Sequence, residues 1–449
     1  MNKIVITPSE FQARRQKLAE RMVNGSAIVI FSAKEVVRNS DSHYLFRQDS
    51  DFWYLTGFDE PDSVFIMIKS NEQLSHTIIF NRERDLEAEI WNGKRLGQEE
   101  AISALRVDRS FKIEELKKQL PLLLNGLDTI YHAQGHYDYG DKVITEALSQ
   151  LRNGSRHNWV SPTTMIDWRP IVHEMRLFKS ANEIDVMREA CEITAKAHLH
   201  AMRVCQPNMT EGQLEGEIHY HFSKQGARNP SYNTIVGGGE NACILHYTQN
   251  NQILKSGQLV LVDAGAEYQN YAGDITRTFP INGKFSKPQR DIYELVLKMQ
   301  LTALQYLKPG HTIYEANLKA IDVLIDGLLE LGILVGDKHV LLEQSAHRKF
   351  YMHGLSHWLG LDVHDVGDYG GSKRDRVLEP GMVLTVEPGI YIAPDAKKIP
   401  AQYLGIGIRI EDNIVITETG HEILTQIAIK DPDEIELWMS QAPQNKAGV

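Results

Sequence analysis

Three short apolar runs mark the first third of the chain: Ala27-Ile28-Val29-Ile30-Phe31, Ser63-Val64-Phe65-Ile66-Met67-Ile68 and His76-Thr77-Ile78-Ile79-Phe80. Each is rich in β-branched and aromatic residues and flanked by polar ones, the signature of a strand. Helical stretches over Phe11–Val23 and Ile113–Leu124 accompany them. Strands alternating with helices predict an α/β domain over residues 1–175. Trp168-Arg169-Pro170 reads as a linker, because proline disfavours helix at the residue before it. Ser180-Ala181-Asn182-Glu183 then forms a capping box that opens a long helix reaching Val204.

The remainder, residues 176–449, reads as one larger domain whose outline repeats. Helices across 181–225 precede antiparallel-looking strands in 256–281, and helices across 287–332 precede strands in 381–426. The polar tail after Leu437 is expected to fray.

Composition narrows the class of protein. With 449 residues, 42% hydrophobic and 24% charged, the chain is long enough for two or three ordinary globular domains. A formal charge of −11 argues against nucleic acid or an anionic membrane as a partner. The three cysteines, Cys191, Cys205 and Cys243, are far apart and lack a CxxC pair, so neither a disulfide framework nor a zinc knuckle is expected. No apolar window approaches a membrane span, and MNKIVITPSEF has too short an apolar run for a signal peptide. A soluble cytoplasmic chain is the expectation.

The chemistry is carried by charged residues at the ends of apolar strands. Leu259-Val260-Leu261-Val262 runs into Asp263, and Asp274 stands in front of Ile275-Thr276-Arg277-Thr278-Phe279. If the two segments pair around Glu267-Tyr268-Gln269-Asn270, Asp263 and Asp274 lie directly opposite, with Cβ atoms about 4.5–5.5 Å apart. Burying two such carboxylates costs several kcal/mol unless a cation sits between them. In isolation, a turn aspartate plus an Arg277 partner is the better explanation of the pair. Gly265 and Gly273 favour close approach of another group. Further on, YMHGLSHWLGLDVHDVG holds His353, His357 and His364; Gly354 follows the first histidine where a zincin needs glutamate, which disfavours that class. LTVEPGIYI carries Glu387, and GIGIRIEDNIVIT carries Arg409 and Glu411 on the face opposite Ile408 and Ile410. Four carboxylates and a histidine suit a pair of divalent cations. Hard oxygen donors with one nitrogen and no thiolate favour two Mn(II), with Co, Zn or Fe as substitutes.

The order Asp, Asp, His, Glu, Glu resembles the pita-bread metallopeptidases, a family that includes methionine aminopeptidase, prolidase and aminopeptidase P. YMHGLSHWLGLDVHDVG, LTVEPGIYIAPD and GIGIRIEDNIVIT look most like the aminopeptidase P branch, and RNSDSHYLFRQDSDFWYLTGFDEPDS is similar to its N-terminal domain. The resemblance spans residues 8 to 437. It implies an α+β fold: a smaller α/β domain, then a pita-bread domain of two pseudo-symmetric halves with a curved antiparallel sheet and outer helices. It also implies removal of the N-terminal residue from peptides with proline second, through a hydroxide bridging two metals. Carried over, the ligands are Asp263, Asp274, His357, Glu387 and Glu411, with Asp274 and Glu411 bridging and Glu387 also moving the proton. His246 and His364 would meet the substrate and the tetrahedral intermediate, and His353 the proline side. Arg409 would orient Glu411.

Tyr391, Arg374 and Trp91 are candidate walls of the proline pocket. Trp91 is open between a core or interface aromatic and a substrate contact supplied by a neighbouring subunit. Asp41 is open between a turn cap and a residue that reaches Arg409 or the site edge. Likeness to bacterial relatives implies a homotetramer. Two other readings stand beside this one: a prolidase, restricted to Xaa-Pro dipeptides, and a non-catalytic pita-bread binding protein.

Overall fold

In the computed structural model, which describes residues 5–441, the chain separates into two compact units, Ile6–Arg176 and Leu177 onward. The apolar runs of the N-terminal unit become the strands Ser26–Phe31, Val64–Lys69 and Ser75–Asn81 of a six-stranded mixed sheet. Their pairing is antiparallel, while Ser26–Phe31 lies parallel to Thr129–Tyr131 and Ser75–Asn81 parallel to Arg109–Lys112. Val29, Ile66, Phe80 and Ile130 from the sheet pack with Leu120 and Leu151 from the helices Leu116–Leu124 and Asp138–Asn153. The expected helix over 11–23 is Pro8–Arg21. Its buried Arg15 donates from its two terminal nitrogens to the carbonyls of Leu55, Leu105 and Arg106.

The expected linker at Trp168-Arg169-Pro170 is not one: a helix occupies Arg169–Leu177. Proline sits in its first turn, where the missing N–H has no intrahelical partner to lose. The tail expected to fray after Leu437 stays helical through the end of Pro432–Ser440, and its remainder beyond Gln441 falls outside the described residues.

In the second unit the repeat is clear. Helices Ala181–Val204 and Glu211–Lys224 precede the strands Leu259–Ala264 and Ile275–Pro280, while Lys287–Tyr306 and Ile313–Glu330 precede Val383–Val386, Gly407–Arg409 and Asp412–Ile416. All four helices open on Ser/Thr-x-x-Glu/Gln. In each, the Glu or Gln oxygen accepts the N-cap N–H, at Ser180 (2.8 Å), Thr210 (2.8 Å), Ser286 (2.9 Å) and Thr312 (3.2 Å). The helices cover one face of the strands with a continuous apolar core that includes Val260, Val262, Phe279, Met299, Ile408 and Ile410. The strand Ile275–Pro280 lies beside the second half: the Glu411 N–H donates to the Thr276 carbonyl (3.0 Å), and the Thr278 hydroxyl to the Arg409 carbonyl (3.0 Å). The two halves therefore meet along the strands that carry the acidic residues.

The register corrects one expectation. Asp263 faces Thr276, not Asp274, and the hairpin closes on Tyr268↔Tyr271. Its turn is only Gln269-Asn270, both with positive φ (48° and 67°), a two-residue turn in place of a four-residue loop. Asp274 is thus the diagonal neighbour of Asp263, on the same face. The paired glycines are explained by crowding: a Cβ on Gly265 would lie 1.8 Å from the Gly273 carbonyl oxygen, and one on Gly273 2.7 Å from the Thr194 hydroxyl. Among the described residues no helix is long and apolar enough to cross a membrane, and the three cysteines are free.

Candidate metal centre and active site

Asp263 stands near the end of a fully buried strand between two neighbours, and Asp274 enters the next one. One hydroxyl ties them together: Tyr232 Oη lies 2.5 Å from Asp263 Oδ1 and 2.6 Å from Asp274 Oδ1. Asn413 grips the Asp274 backbone on both sides, its Oδ1 accepting the N–H (2.9 Å) and its Nδ2 donating to the carbonyl (2.6 Å). Arg277, the alternative partner for these carboxylates, points away from both. It forms a fully buried ion pair with Asp412 (2.7 Å).

The segment around His357 is irregular, not helical, and the ring is placed by its own backbone. Nδ1 lies 3.0 Å from the Trp358 carbonyl and donates to it, which turns Nε2 toward the carboxylates. Nε2 is 3.4 Å from Asp274 Oδ2 and 3.6 Å from Glu387 Oε1. Glu411 accepts the Thr276 hydroxyl at 2.7 Å. Ligand atoms of Asp274, His357 and Glu411 all lie within 4.8 Å of one another. All five residues border one cavity of about 710 Å³, together with His246, His353, His364, Arg374 and Arg409.

Electrostatics show whether this donor set suits a metal. Burial pushes the Asp274 and Glu411 carboxyls above their ordinary range, reinforced by neighbouring carboxylates, and lifts Glu387 to about 7 against the pull of His357 and Arg409. Burial opposes the charge on His357, yet its hydrogen bond to Asp274 and the Glu387 charge raise it to about 9. Arg409 forms its ion pair with Asp263. Burial thus works against ionising Asp274, Glu387 and Glu411 together, and divalent cations among them would supply the positive charge that lets all four carboxylates ionise. Oxygen and one imidazole nitrogen are the donors; the site fits the group.

A directional chain supports the rim. Arg409 Nη1 donates to Tyr391 Oη (2.8 Å), Tyr391 Oη lies 2.9 Å from His353 Nε2, and His353 Nδ1 lies 2.9 Å from the Gly354 carbonyl. Burial and the Arg409 charge lower His353 to about 4, so it stays neutral and fits this arrangement. Two expectations change here. Tyr391 is 2% exposed and does not border the cavity; it stands behind His353 and Arg409. Arg409 touches Asp263 directly and reaches Glu411 only through the Thr276 hydroxyl, 3.0 Å from its Nε. The His364 ring meets the His357 ring edge-on at 4.3 Å, and His246 and His364 are exposed at the mouth. Arg374 donates to the Ser356 carbonyl (2.7 Å) and lies over Tyr369.

Asp41 and Trp91 belong to the N-terminal unit. Asp41 occupies the exposed turn between Val37–Asn39 and Ser42–His43. Trp91 is 82% exposed on a helix, Leu86–Asn92, with no buried residue, so it is not a core aromatic. Sequence reasoning missed Tyr232, Thr276 and Asn413. For Thr276 a signal existed: Asp274, Thr276 and Thr278 are alternate polar positions in a strand buried on both faces.

A mixed α/β unit followed by two helix-backed halves that converge four carboxylates and a histidine defines a metallohydrolase. The chain belongs to metallopeptidase family M24: the family model matches residues 185–418, and a model described as the aminopeptidase P N-terminal domain matches residues 11–131. It is 60% identical to the Xaa-Pro aminopeptidase of Escherichia coli over 97% of this chain and 99% of that one. Identity to the Haemophilus influenzae Xaa-Pro aminopeptidase is 51%, covering 96% and 97% of the two chains. A solved structure of zinc-substituted E. coli aminopeptidase P in complex with product superposes with a TM-score of 0.97 at 59% identity, covering 98% of this chain and 99% of that one.

Proposed function

We infer that this chain is a metal-dependent aminopeptidase that releases the N-terminal residue from peptides with proline in second position. The observation that carries the inference is the convergence of Asp263, Asp274, His357, Glu387 and Glu411 on one cavity, in a chain that matches Xaa-Pro aminopeptidases along nearly its whole length. Asp263, Asp274, His357, Glu387 and Glu411 would together hold two divalent cations. Bound there, two divalent metals supply Lewis acidity, polarising the scissile carbonyl and making water acidic enough to ionise near neutral pH. The donor chemistry supports Mn(II) as the metal, with Co, Zn or Fe able to substitute.

The chain's own residues do the rest. Glu387 takes the proton of the attacking water and delivers it to the departing prolyl nitrogen as the C–N bond breaks. That delivery is needed because an amide nitrogen leaves only once it is protonated. His246 and His364 at the mouth hold the peptide beside the reacting carbonyl. Neutral His353, backed by Tyr391, faces the proline ring, and Arg374 closes that side. Arg409 holds Asp263 in place through their ion pair.

The same reading makes the enzyme a cytoplasmic homotetramer with neither nucleic acid nor membrane as a partner. The exposed Leu86, Ile90 and Trp91 (75%, 80% and 82%) on one short helix support self-association, and with it a substrate contact for Trp91. Asp41 is proposed for the site edge on likeness alone. The test is a digest of Xaa-Pro-Yaa, Xaa-Ala-Yaa and Xaa-Pro peptides with Mn(II) present. Release of Xaa from Xaa-Pro-Yaa, with Xaa-Ala-Yaa left intact, is expected. Cleavage of the dipeptide with none of the tripeptide would assign a prolidase instead.

A further inference from the structure

Between the strand Ile235–Gly238 and Leu259–Ala264 the chain makes an excursion over residues 239–251. It holds a short 3-10 turn at Gly239–Cys243 and then no regular structure, yet it supplies Leu245, His246 and Thr248 to the cavity wall. An irregular segment of this kind is mobile unless its backbone is tied down.

Two side chains tie it: Asn250 holds its far end, accepting the Val236 N–H (3.0 Å) and donating to the Thr234 carbonyl (2.9 Å), and Glu211 closes its base. Glu211, the first residue of the helix Glu211–Lys224, is completely buried. Its Oε1 accepts the Gly238 N–H (2.9 Å) and Asn241 Nδ2 (2.9 Å). Its Oε2 accepts the Tyr247 hydroxyl (2.8 Å) and the Gln252 N–H (2.9 Å). The four donors come from both ends of the excursion and two points within it, so a single carboxylate closes its base. They use the acceptor capacity of both oxygens, and all are neutral. The carboxylate sits at the positive end of the helix dipole. Tyr247 adjoins His246 directly, so the hydroxyl bond fixes the peptide from which the His246 ring projects.

We propose that Glu211 is a positioning residue for the reaction: it acts through Tyr247 and the 239–251 backbone to hold His246 at the cavity mouth. The role rests on the peptidase reading of the site. Gln at position 211 has nearly the same shape but replaces one acceptor oxygen with an NH2. That group faces an N–H or amide donor that it cannot pair with, and the excursion loses its closure at one end.

The test uses the Mn(II)-loaded full chain as wild type, Glu211→Gln, His246→Ala and the double variant, assayed on Xaa-Pro-Yaa. Glu211→Gln is expected to lower kcat/KM about 10-fold, and less than about 2-fold further once His246 is already Ala, because residues acting through one another are not additive. Losses that multiply, or an unchanged kcat/KM, would overturn the role. Amide hydrogen exchange over 239–251 is the second readout: faster exchange is expected in Glu211→Gln, and wild-type protection there would overturn the proposal whatever the substrate proves to be. A wild-type protein that cleaves no Xaa-Pro-Yaa defeats the peptidase reading separately. Should Glu211→Gln melt at a lower temperature, Tyr247→Phe removes one donor only; a loss of about 3-fold that vanishes with His246→Ala is expected, and independence from His246 would overturn the role.

Discussion

Thr276→Val is the most informative single change at the centre. Thr276 is completely buried, two residues beyond Asp274 on the same strand. Its hydroxyl donates to Glu411 Oε2 at 2.7 Å and accepts Arg409 Nε at 3.0 Å, so it is the link between the guanidinium and the carboxylate. Valine keeps the shape and the strand propensity but supplies neither function. A hydrogen bond to a charged group contributes about 1.5–3 kcal/mol. Most of that loss falls on the geometry of Glu411, since the Thr276 backbone still accepts the Glu411 N–H (3.0 Å). Partners of metal-binding carboxylates typically contribute 10–100-fold in affinity, which is about 1.4–2.7 kcal/mol, the same range. A titration of Mn(II) against a chelating indicator should therefore show affinity reduced about 10–100-fold, with part of the activity restored at saturating metal. An affinity within about 2-fold of wild type would refute the claim that Thr276 positions Glu411.

Three other substitutions probe the surrounding contacts. In the N-terminal unit, burial would raise Asp51, but Arg176 (2.8 Å) and His173 hold it at about 2, below its ordinary value of 3.8. A depressed carboxylate contributes stability that is full above about pH 4 and lost as the pH falls toward 2, so Asp51→Asn should cost about 2 kcal/mol at pH 6 and about half that at pH 3, as read by urea unfolding; a pH-independent difference would contradict it. Arg277→Met strands Asp412 with Lys430 and Thr425 and leaves the Ala428 and Ile429 carbonyls without their donor, so unfolding should be easier by about 3–5 kcal/mol, and a loss under about 1 kcal/mol would show the pair to be dispensable. Gly265→Ala drives a methyl into the Gly273 carbonyl 1.8 Å away and should cost about 1–3 kcal/mol in stability, together with weaker Mn(II) binding; a wild-type melting temperature would contradict the close approach.

The candidate ligand set is legible in the sequence because charge in a buried strand is costly and so conspicuous: Asp263, Glu387 and Glu411 each interrupt an apolar run. Register is harder to read. Gln269-Asn270 lacks the Asn-Gly signal of a two-residue turn, so the pattern suggests Asp263 opposite Asp274 where the turn pairs it with Thr276. Tyr391 misleads because its spacing from Glu387 spans Pro388-Gly389; Val383–Val386 and Gly389–Tyr391 belong to different sheets, and the side chain turns behind His353. Tyr232 and Asn413 reach the aspartates only through the tertiary fold, and no local pattern marks them. The four capping boxes, by contrast, are all written in the chain. Ser180 announces its helix through a plain Ser-x-x-Glu before an apolar pattern, and the equivalent signals at Thr210, Ser286 and Thr312 mark the starts of the other repeated helices.

The central claim is that five side chains of this chain hold two divalent cations that make it a peptidase. Chelated protein titrated with Mn(II), while release of the N-terminal residue from an Xaa-Pro-Yaa peptide is followed, tests it most directly. Activity should be lost on chelation, return with added metal and saturate with two metals bound per chain; Asp274→Ala should abolish the return. Undiminished cleavage by the chelated protein, or full restoration in Asp274→Ala, would contradict the account.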